Sequence, residues 1–153
     1  MLEGRDKMIR DICTGFVMLI LVMLLSIIFT VKKQFNEDVK ALAYNCYFEA
    51  RNSTIEDQIA TMVVVMNRGD PSDEVYKKNQ FSWTAEYSVP AENDALAKCR
   101  ALANMVARNH NLFKSKKICK HYTTAGKEYD NERHWTKSFS KRVQIGKHWY
   151  YCN

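Results

Sequence analysis

ICTGFVMLILVMLLSIIFTV (residues 12–31) determines the organisation of the chain, because these 20 residues include no charged side chain. As an α-helix at about 1.5 Å per residue, such a run covers roughly 30 Å, the hydrocarbon thickness of a bilayer. A cleaved signal peptide would have a shorter apolar stretch and a small-x-small site after it, and SIIFTVKK (residues 26–33) offers no such site. We therefore predict a retained transmembrane helix. A secretory signal that is removed after all is the main alternative.

The remainder of the 153 residues is enough for one small domain. Five Gly and two Pro argue against a flexible linker, and no internal repeat is found. We predict a cytoplasmic tail and anchor over residues 1–36 and one exported domain over residues 37–153. Basic residues are nearly balanced across the span, so the positive-inside rule does not decide its orientation; they are Arg5, Lys7 and Arg10 before it and Lys32, Lys33 and Lys40 after it.

The formal net charge of +6 lies entirely after the apolar run, because the charges of residues 1–31 sum to zero. A basic exported domain suits an anionic polymer or a membrane surface by long-range attraction. Nucleic acid is the usual other partner of a basic chain, but no recognition helix and no basic stripe interleaved with aromatic residues is found. We expect no nucleic-acid partner. The oligomeric state is left open.

Of the five cysteines, Cys13 lies in the apolar run and the other four follow it. In an exported domain disulfides form and persist, and four cysteines allow three pairings. Cys119 and Cys152 are the expected pair. Cys46 and Cys99 fall on the apolar faces of predicted helices, so free buried thiols are the alternative for them.

Cys119, His121, His134 and His148 are candidate zinc ligands, but their spacing is not that of known zinc sites. The sequence has no CxxC or HExxH pattern. We predict neither a metal nor another cofactor.

Hydrophobic periodicity predicts three helices after the anchor. The first covers residues 37–51, with Val39, Leu42, Ala43, Cys46 and Ala50 on one face. The second begins at a capping box formed by Ser53 and Glu56 and ends where Gly69 takes a left-handed cap; its apolar stripe is Ile59, Met62, Val63 and Met66. The third follows Pro90 and carries Ala95, Cys99, Leu102, Ala103 and Val106 on one face.

Between and after these helices the pattern changes. Residues 69–73 (GDPSD) are rich in turn formers. The aromatic tail predicts short extended segments, with strands over residues 121–124 and 148–151. The predicted fold class is therefore α+β: a small, mainly helical domain with a minor β or irregular lobe, preceded by one transmembrane helix.

YFEAR (residues 47–51) carries the candidate catalytic group, Glu49. A carboxyl group between aromatic residues near a helix end has a raised pKa if its neighbours exclude water. That property suits a general acid that protonates a glycosidic oxygen. The alternative is a surface glutamate paired with Arg51 or Lys40, and periodicity alone favours this alternative.

Five further segments favour the catalytic interpretation of Glu49 over a surface glutamate: DQIA (57–60), VVVMNR (63–68), QFSW (80–83), HYT (121–123) and IGKHWY (145–150). Together with YFEAR, in this order and at these distances, they resemble the spore-cortex-lytic cell-wall hydrolase family, which includes bacterial germination enzymes and phage lysins. The resemblance covers residues 42–151. The chain departs from the family's pattern at Asp57, where glycine is common, and in the basic loop of residues 111–117, where a Gly-rich loop is common.

The resemblance implies a lysozyme-like fold and lytic transglycosylase activity on peptidoglycan. Glu49 matches the family's catalytic acid and base. The predicted substrate-binding residues are Gln80, Ser82, Trp83, His121, Tyr122 and His148. The implied location is a single-pass inner membrane protein whose catalytic domain faces the periplasm or cell wall.

Ordinary glycosidases place two carboxyl groups about 5 to 9.5 Å apart. A lytic transglycosylase manages with one, because the C6 hydroxyl of muramic acid attacks the anomeric carbon and yields a 1,6-anhydro sugar. The alternatives are cleavage of the amide between glycan and peptide, and a non-catalytic wall-binding or lysis-accessory membrane protein. Phage lysis and bacterial wall remodelling both fit the resemblance, and the Leu-rich, Gly-poor span predicts a permanent anchor.

Overall fold

The computed structural model of the chain describes residues 2–78, 80, 81, 83, 84, 88, 90–113, 119–124, 138, 139 and 141–152. The chain divides into two compact units, Met1–Asn36 and Glu37–Asn153. Its elements give an α+β fold, mostly helical with one small three-stranded sheet.

Helix α1 (Leu2–Asn45) contains the uncharged run. The run's apolar side chains are exposed, from 43% for Ile20 to 71% for Phe29. Among the described residues this is the one helix that is long and apolar enough to cross a membrane, although a signal sequence near an N-terminus passes the same criteria. The length and composition of this helix are compatible with a membrane span.

The end of α1 and a π-helical turn (Cys46–Ala50) open the second unit. The predicted apolar face of this segment is confirmed, because all five of its residues are buried. Helices α2 (Ile55–Arg68) and α4 (Asp94–Arg108) match the second and third predicted helices. A short helix α3 (Pro71–Tyr76) lies where the sequence predicted only a turn, and α5 (His110–Phe113) follows α4. Proline in the first turn of α3 loses no helical hydrogen bond, so GDPSD is compatible with a helix start.

Helix α2 ends at Arg68 as predicted, but both of its predicted caps are wrong. Thr54 is the N-cap, and its Oγ1 accepts a hydrogen bond from the backbone N–H of Asp57 at 3.3 Å. Ser53 instead donates its hydroxyl proton to the carboxylate of Asp57. At the other end, Gly69 has φ 168°, which is extended backbone rather than a left-handed cap.

The buried face of α2 is more polar than its predicted stripe. Ile59, Val63 and Met66 are only half-buried, whereas Gln58 and Thr61 are fully buried among apolar neighbours. Gln58 Nε2 lies 3.1 Å from the carbonyl oxygen of Ala50, with further acceptors on Arg51 and Ser53; these backbone acceptors satisfy the N–H groups of its amide in the core. Gln58 thereby fixes the loop that leaves the π-helical turn.

Strands β1 (Cys119–Thr124), β2 (Lys141–Ile145) and β3 (His148–Cys152) form an antiparallel sheet in the order β1-β3-β2. The sequence did not predict β2, because KRVQI has only two apolar residues. In the structure β2 is an edge strand, and its Val143 is 46% exposed. Gly146 and Lys147 form the turn between β2 and β3, and Gly146 has φ 56°.

Two disulfides close this unit. Cys119–Cys152 is confirmed as a pair and joins β1 to β3, and Cys46–Cys99 joins the π-helical turn to α4. The alternative of free thiols at Cys46 and Cys99 is wrong. The paired cysteines are 33 and 53 residues apart in the sequence. Cross-links over such lengths stabilise a small domain by restricting its unfolded chain.

Candidate active site

Glu49 lies in the π-helical turn, half-buried between the buried residues Cys46 and Ala50. A π-helical turn is wider than the α-helix it continues and occurs frequently at functional sites. The Cys46–Cys99 disulfide ties the start of the turn to α4, and Gln58 binds the carbonyl oxygen of Ala50 at its end. The backbone that carries Glu49 is therefore held on both sides.

Aromatic rings surround this turn. The ring of Phe48 stacks on that of Trp83, with centroids 4.6 Å apart and planes 16° from parallel. Tyr47 meets Phe48 edge to face at 5.3 Å, and Phe81 lies 6.3 Å from Trp83. Trp83 is half-buried, so part of this aromatic surface remains accessible.

Tyr122 of β1 connects the sheet to the helix that precedes Glu49. Its hydroxyl donates to Asn45 Oδ1 at 3.3 Å, and Asn45 lies four residues before Glu49. Burial raises the pKa of Tyr122 well above its usual value, and the negative charge of Glu49 raises it further. Tyr122 therefore remains a neutral hydrogen-bond donor throughout the physiological pH range.

Asp57, in the first turn of α2, lies at the centre of a group of hydrogen bonds. It is fully buried and accepts from four donors. These are the Ser53 hydroxyl, the backbone N–H of Lys147 at 3.0 Å, His148 Nδ1 at 2.9 Å and the Tyr150 hydroxyl at 2.5 Å. The carboxylate thus connects α2 to the turn and strand of the β2–β3 hairpin.

The hydrogen bonds decide the ionisation of Asp57. Burial acts to raise its pKa, but the bonds from His148, Ser53, Tyr150 and the Lys147 N–H outweigh it and lower the pKa from 3.8 to about 2. Burial and the hydrogen bond to Asp57 raise the pKa of Tyr150. At neutral pH Asp57 is therefore a carboxylate that only accepts, so His148 Nδ1 must carry the proton in their hydrogen bond.

The folded domain is expected to lose stability in acid through Asp57. The pKa of Asp57 is lower in the folded chain, so this stability is fully present above 3.8 and is lost as the pH falls toward 2. The loss is on the order of 2 kcal/mol. Urea unfolding of the wild type and of Asp57→Asn should show a smaller acid dependence in the variant. An equal acid dependence of unfolding in both proteins would contradict the lowered pKa of Asp57.

The structure brings together only some of the predicted site residues. Tyr122 and His148 touch edge to face at 5.2 Å, and Phe81 links Tyr122 to Trp83 with centroid distances of 6.3 Å on each side. Gln80 is half-buried beside Phe81. Ser82 lies outside the described residues.

His121 lies apart from this group. It packs against Phe139 at 5.1 Å, and Phe139 contacts Tyr151 at 5.9 Å. Adjacent residues of a strand face opposite sides of the sheet, so His121 and Tyr122 are directed away from each other. Burial, and then the charges of Arg68 and Lys120, lower the pKa of His121. Its part in substrate binding stays a prediction.

Sequence reasoning missed Asp57 and Tyr150 as members of the site. Both lie within segments that carry the family resemblance, DQIA (57–60) and IGKHWY (145–150), and Asp57 is also a departure from the family's pattern, but neither is predicted to be a site residue. His148 and Tyr150 are two residues apart on one strand and so share a face, and this spacing was the available signal. Nothing in the sequence showed that Asp57, about 90 residues earlier, would be buried against that face.

An apolar pocket of about 390 Å³ lies between α2 and the sheet, on the side of Tyr150. Its lining includes Ile59, Val63, Val143, Ile145 and Tyr150. None of the predicted site residues lines it.

Two of the four candidate zinc ligands have other roles in the structure, and a third lies outside the described residues. Cys119 is in a disulfide, His148 binds Asp57, and His134 lies outside the described residues. Within the part of the chain that the structure describes, no three His, Cys, Asp or Glu side chains form a metal-binding group. Comparison of the chain with family models, with curated proteins and with solved structures found no match.

Proposed function

We propose that this chain is a membrane-anchored enzyme that cuts the bond between N-acetylmuramic acid and N-acetylglucosamine in peptidoglycan, with Glu49 as its acid. The observation that carries the proposal is the position of Glu49. It is half-buried in a π-helical turn whose Phe48 ring stacks on Trp83, and its charge is close enough to Tyr122 to raise the pKa of the tyrosine hydroxyl.

The state of Asp57 favours a lytic transglycosylase over a hydrolase that uses water. A two-carboxylate glycosidase needs a second carboxyl group that is free to act as base or nucleophile. Asp57 is fully buried and accepts four hydrogen bonds, so it is unavailable for either role. Asp57 is therefore not the second carboxyl group, and the proposal assigns both the acid and the base role to Glu49.

In the proposed reaction, protonated Glu49 gives its proton to the glycosidic oxygen as the bond from that oxygen to the muramic acid C1 breaks. The C6 hydroxyl of the same muramic acid forms the new bond to C1. Its proton passes to the Glu49 carboxylate, which restores the acid. No water is consumed, and the product ends in 1,6-anhydromuramic acid.

Three further features support this function. The exposed part of the Phe48–Trp83 stack offers an aromatic face against which a sugar ring can pack. The net charge of +6 attracts an anionic wall polymer. Two disulfides suit an oxidising compartment, which is consistent with a domain held by α1 on the outer side of the inner membrane.

The test is product analysis. Full-length protein in mild detergent is incubated with purified sacculi, and the released muropeptides are identified by mass spectrometry. Fragments ending in 1,6-anhydromuramic acid are expected. Reducing muramic ends would replace the transglycosylase by a water-using muramidase. Free amines without new glycan ends would favour an amidase, and no release would favour a wall-binding or lysis-accessory protein.

A further inference from the structure

We propose that Asp57 is a positioning residue for the Glu49 site. Its buried carboxylate fixes the ring of His148, and through that ring it holds Tyr122 where the tyrosine hydroxyl meets Asn45. The activity part of this inference rests on the proposed function. The structural part does not.

The first step is the fixed orientation of His148. Its Nδ1 lies 2.9 and 3.0 Å from the two carboxylate oxygens of Asp57. The ring is 1% exposed. Because the ionised carboxylate is only an acceptor, His148 donates its Nδ1–H to it, and its ring plane has little freedom.

The second step runs from His148 to Tyr122. The two rings meet at 5.2 Å and 78°, an edge-to-face contact that depends on the imidazole plane. Tyr150, itself bonded to Asp57 at 2.5 Å, lies 5.8 Å from Tyr122, and Phe81 lies 6.3 Å from it. Two of these three rings are thus held by one carboxylate.

The third step reaches the turn that carries Glu49. Tyr122 donates to Asn45 Oδ1 at 3.3 Å, and Asn45 immediately precedes the π-helical turn. Asn45 is fully buried, and its Nδ2 has no hydrogen-bond partner among the described residues. The bond from Tyr122 is therefore a principal polar restraint on the Asn45 side chain at the entry to the turn.

The test begins with Asp57→Asn in the full-length chain in mild detergent, with ¹⁵N-labelled histidine. Long-range ¹H–¹⁵N spectra report which ring nitrogen of His148 carries the proton. The wild type is expected to be Nδ1–H, and the variant is expected to shift toward Nε2–H, because the acceptor-only partner is gone. On sacculi, kcat is expected to fall about 10-fold to 100-fold with KM nearly unchanged.

Ser53→Ala is the matched control, because it removes one donor to Asp57 and leaves the His148 bond. It is expected to lower stability while keeping the Nδ1–H form and kcat. If Ser53→Ala loses as much kcat as Asp57→Asn at equal stability, Asp57 is only structural and the inference is overturned.

Tyr122→Phe covers the case in which Asp57→Asn does not fold. It removes the bond to Asn45 and leaves the Asp57 hydrogen bonds intact. The expected result is a fall in kcat like that of Asp57→Asn, with His148 still Nδ1–H; an unchanged kcat overturns the inference. If the wild type releases no muropeptides, the proposed function fails, and the histidine spectra decide the structural part alone.

Discussion

Glu49→Gln is expected to lower the release of anhydro-muropeptides from sacculi by about 10²-fold to 10⁴-fold, the range that general acid catalysis contributes. Glutamine has nearly the same shape as glutamic acid and keeps the packing of the half-buried turn. Its amide, however, cannot give a proton to the leaving oxygen or take one from the C6 hydroxyl. The loss should therefore be in kcat, with substrate binding largely kept.

Glu56→Gln is the matched control for this substitution. Glu56 is an exposed carboxylate at the start of α2, so the change removes one negative charge without touching the aromatic cluster. We expect its rate of release to stay close to that of the wild type. Activity of Glu49→Gln equal to that of Glu56→Gln would remove Glu49 from the mechanism, and the accessory function would then be preferred.

The sequence predicted most helices because their apolar faces are periodic. The face of residues 37–51 is buried in full. On the predicted face of α4, Cys99, Ala103 and Val106 are buried, whereas Ala95 and Leu102 are half-buried. The prediction of buried residues failed where polar side chains are buried. Gln58 and Thr61 are in the core of α2 because backbone carbonyl groups are available there as partners, and a hydropathy pattern cannot show that.

Edge strand β2 was missed for a related reason. Its three polar residues out of five give no buried strand pattern, and its position is determined by pairing with β3, from Lys141 against Cys152 to Ile145 against His148. That pairing depends on a tight turn at Gly146. A short polar segment is placed in a sheet by its partner rather than by its own propensity.

For the candidate site, the sequence supplied Glu49 and the aromatic and histidine positions through local motifs. It could not supply the connections between them. The bonds from Asp57 to His148 and Tyr150 span 91 and 93 residues, and the bond from Tyr122 to Asn45 spans 77. Such contacts follow from the packing of α2 against the sheet. A buried aspartate with matching donors looks in sequence like any surface aspartate at a helix start.

Gly146→Ala is expected to have the largest effect on stability and to lower the free energy of unfolding of the domain by about 3 kcal/mol. Gly146 has φ 56°, where a residue with a Cβ is strained. An added Cβ would also lie 2.7 Å from Asp57 Oδ2 and 2.7 Å from Ser53 Oγ. Neither atom can move freely, since both belong to the buried hydrogen-bond group that holds the hairpin on α2. Strain and steric overlap therefore act on the same contact.

Gly69→Ala separates this effect from the general cost of replacing a glycine. Gly69 has φ 168°, and its nearest contact to an added Cβ is the flexible side chain of Glu74 at 3.5 Å. Urea unfolding of both variants, followed by tryptophan fluorescence in detergent, should show little change for Gly69→Ala. Equal stability of the Gly146→Ala and Gly69→Ala variants would mean that the Gly146 turn is not in close contact with Asp57. Since His148 follows this turn by two residues, such a result would also weaken the positioning of His148 by the same carboxylate.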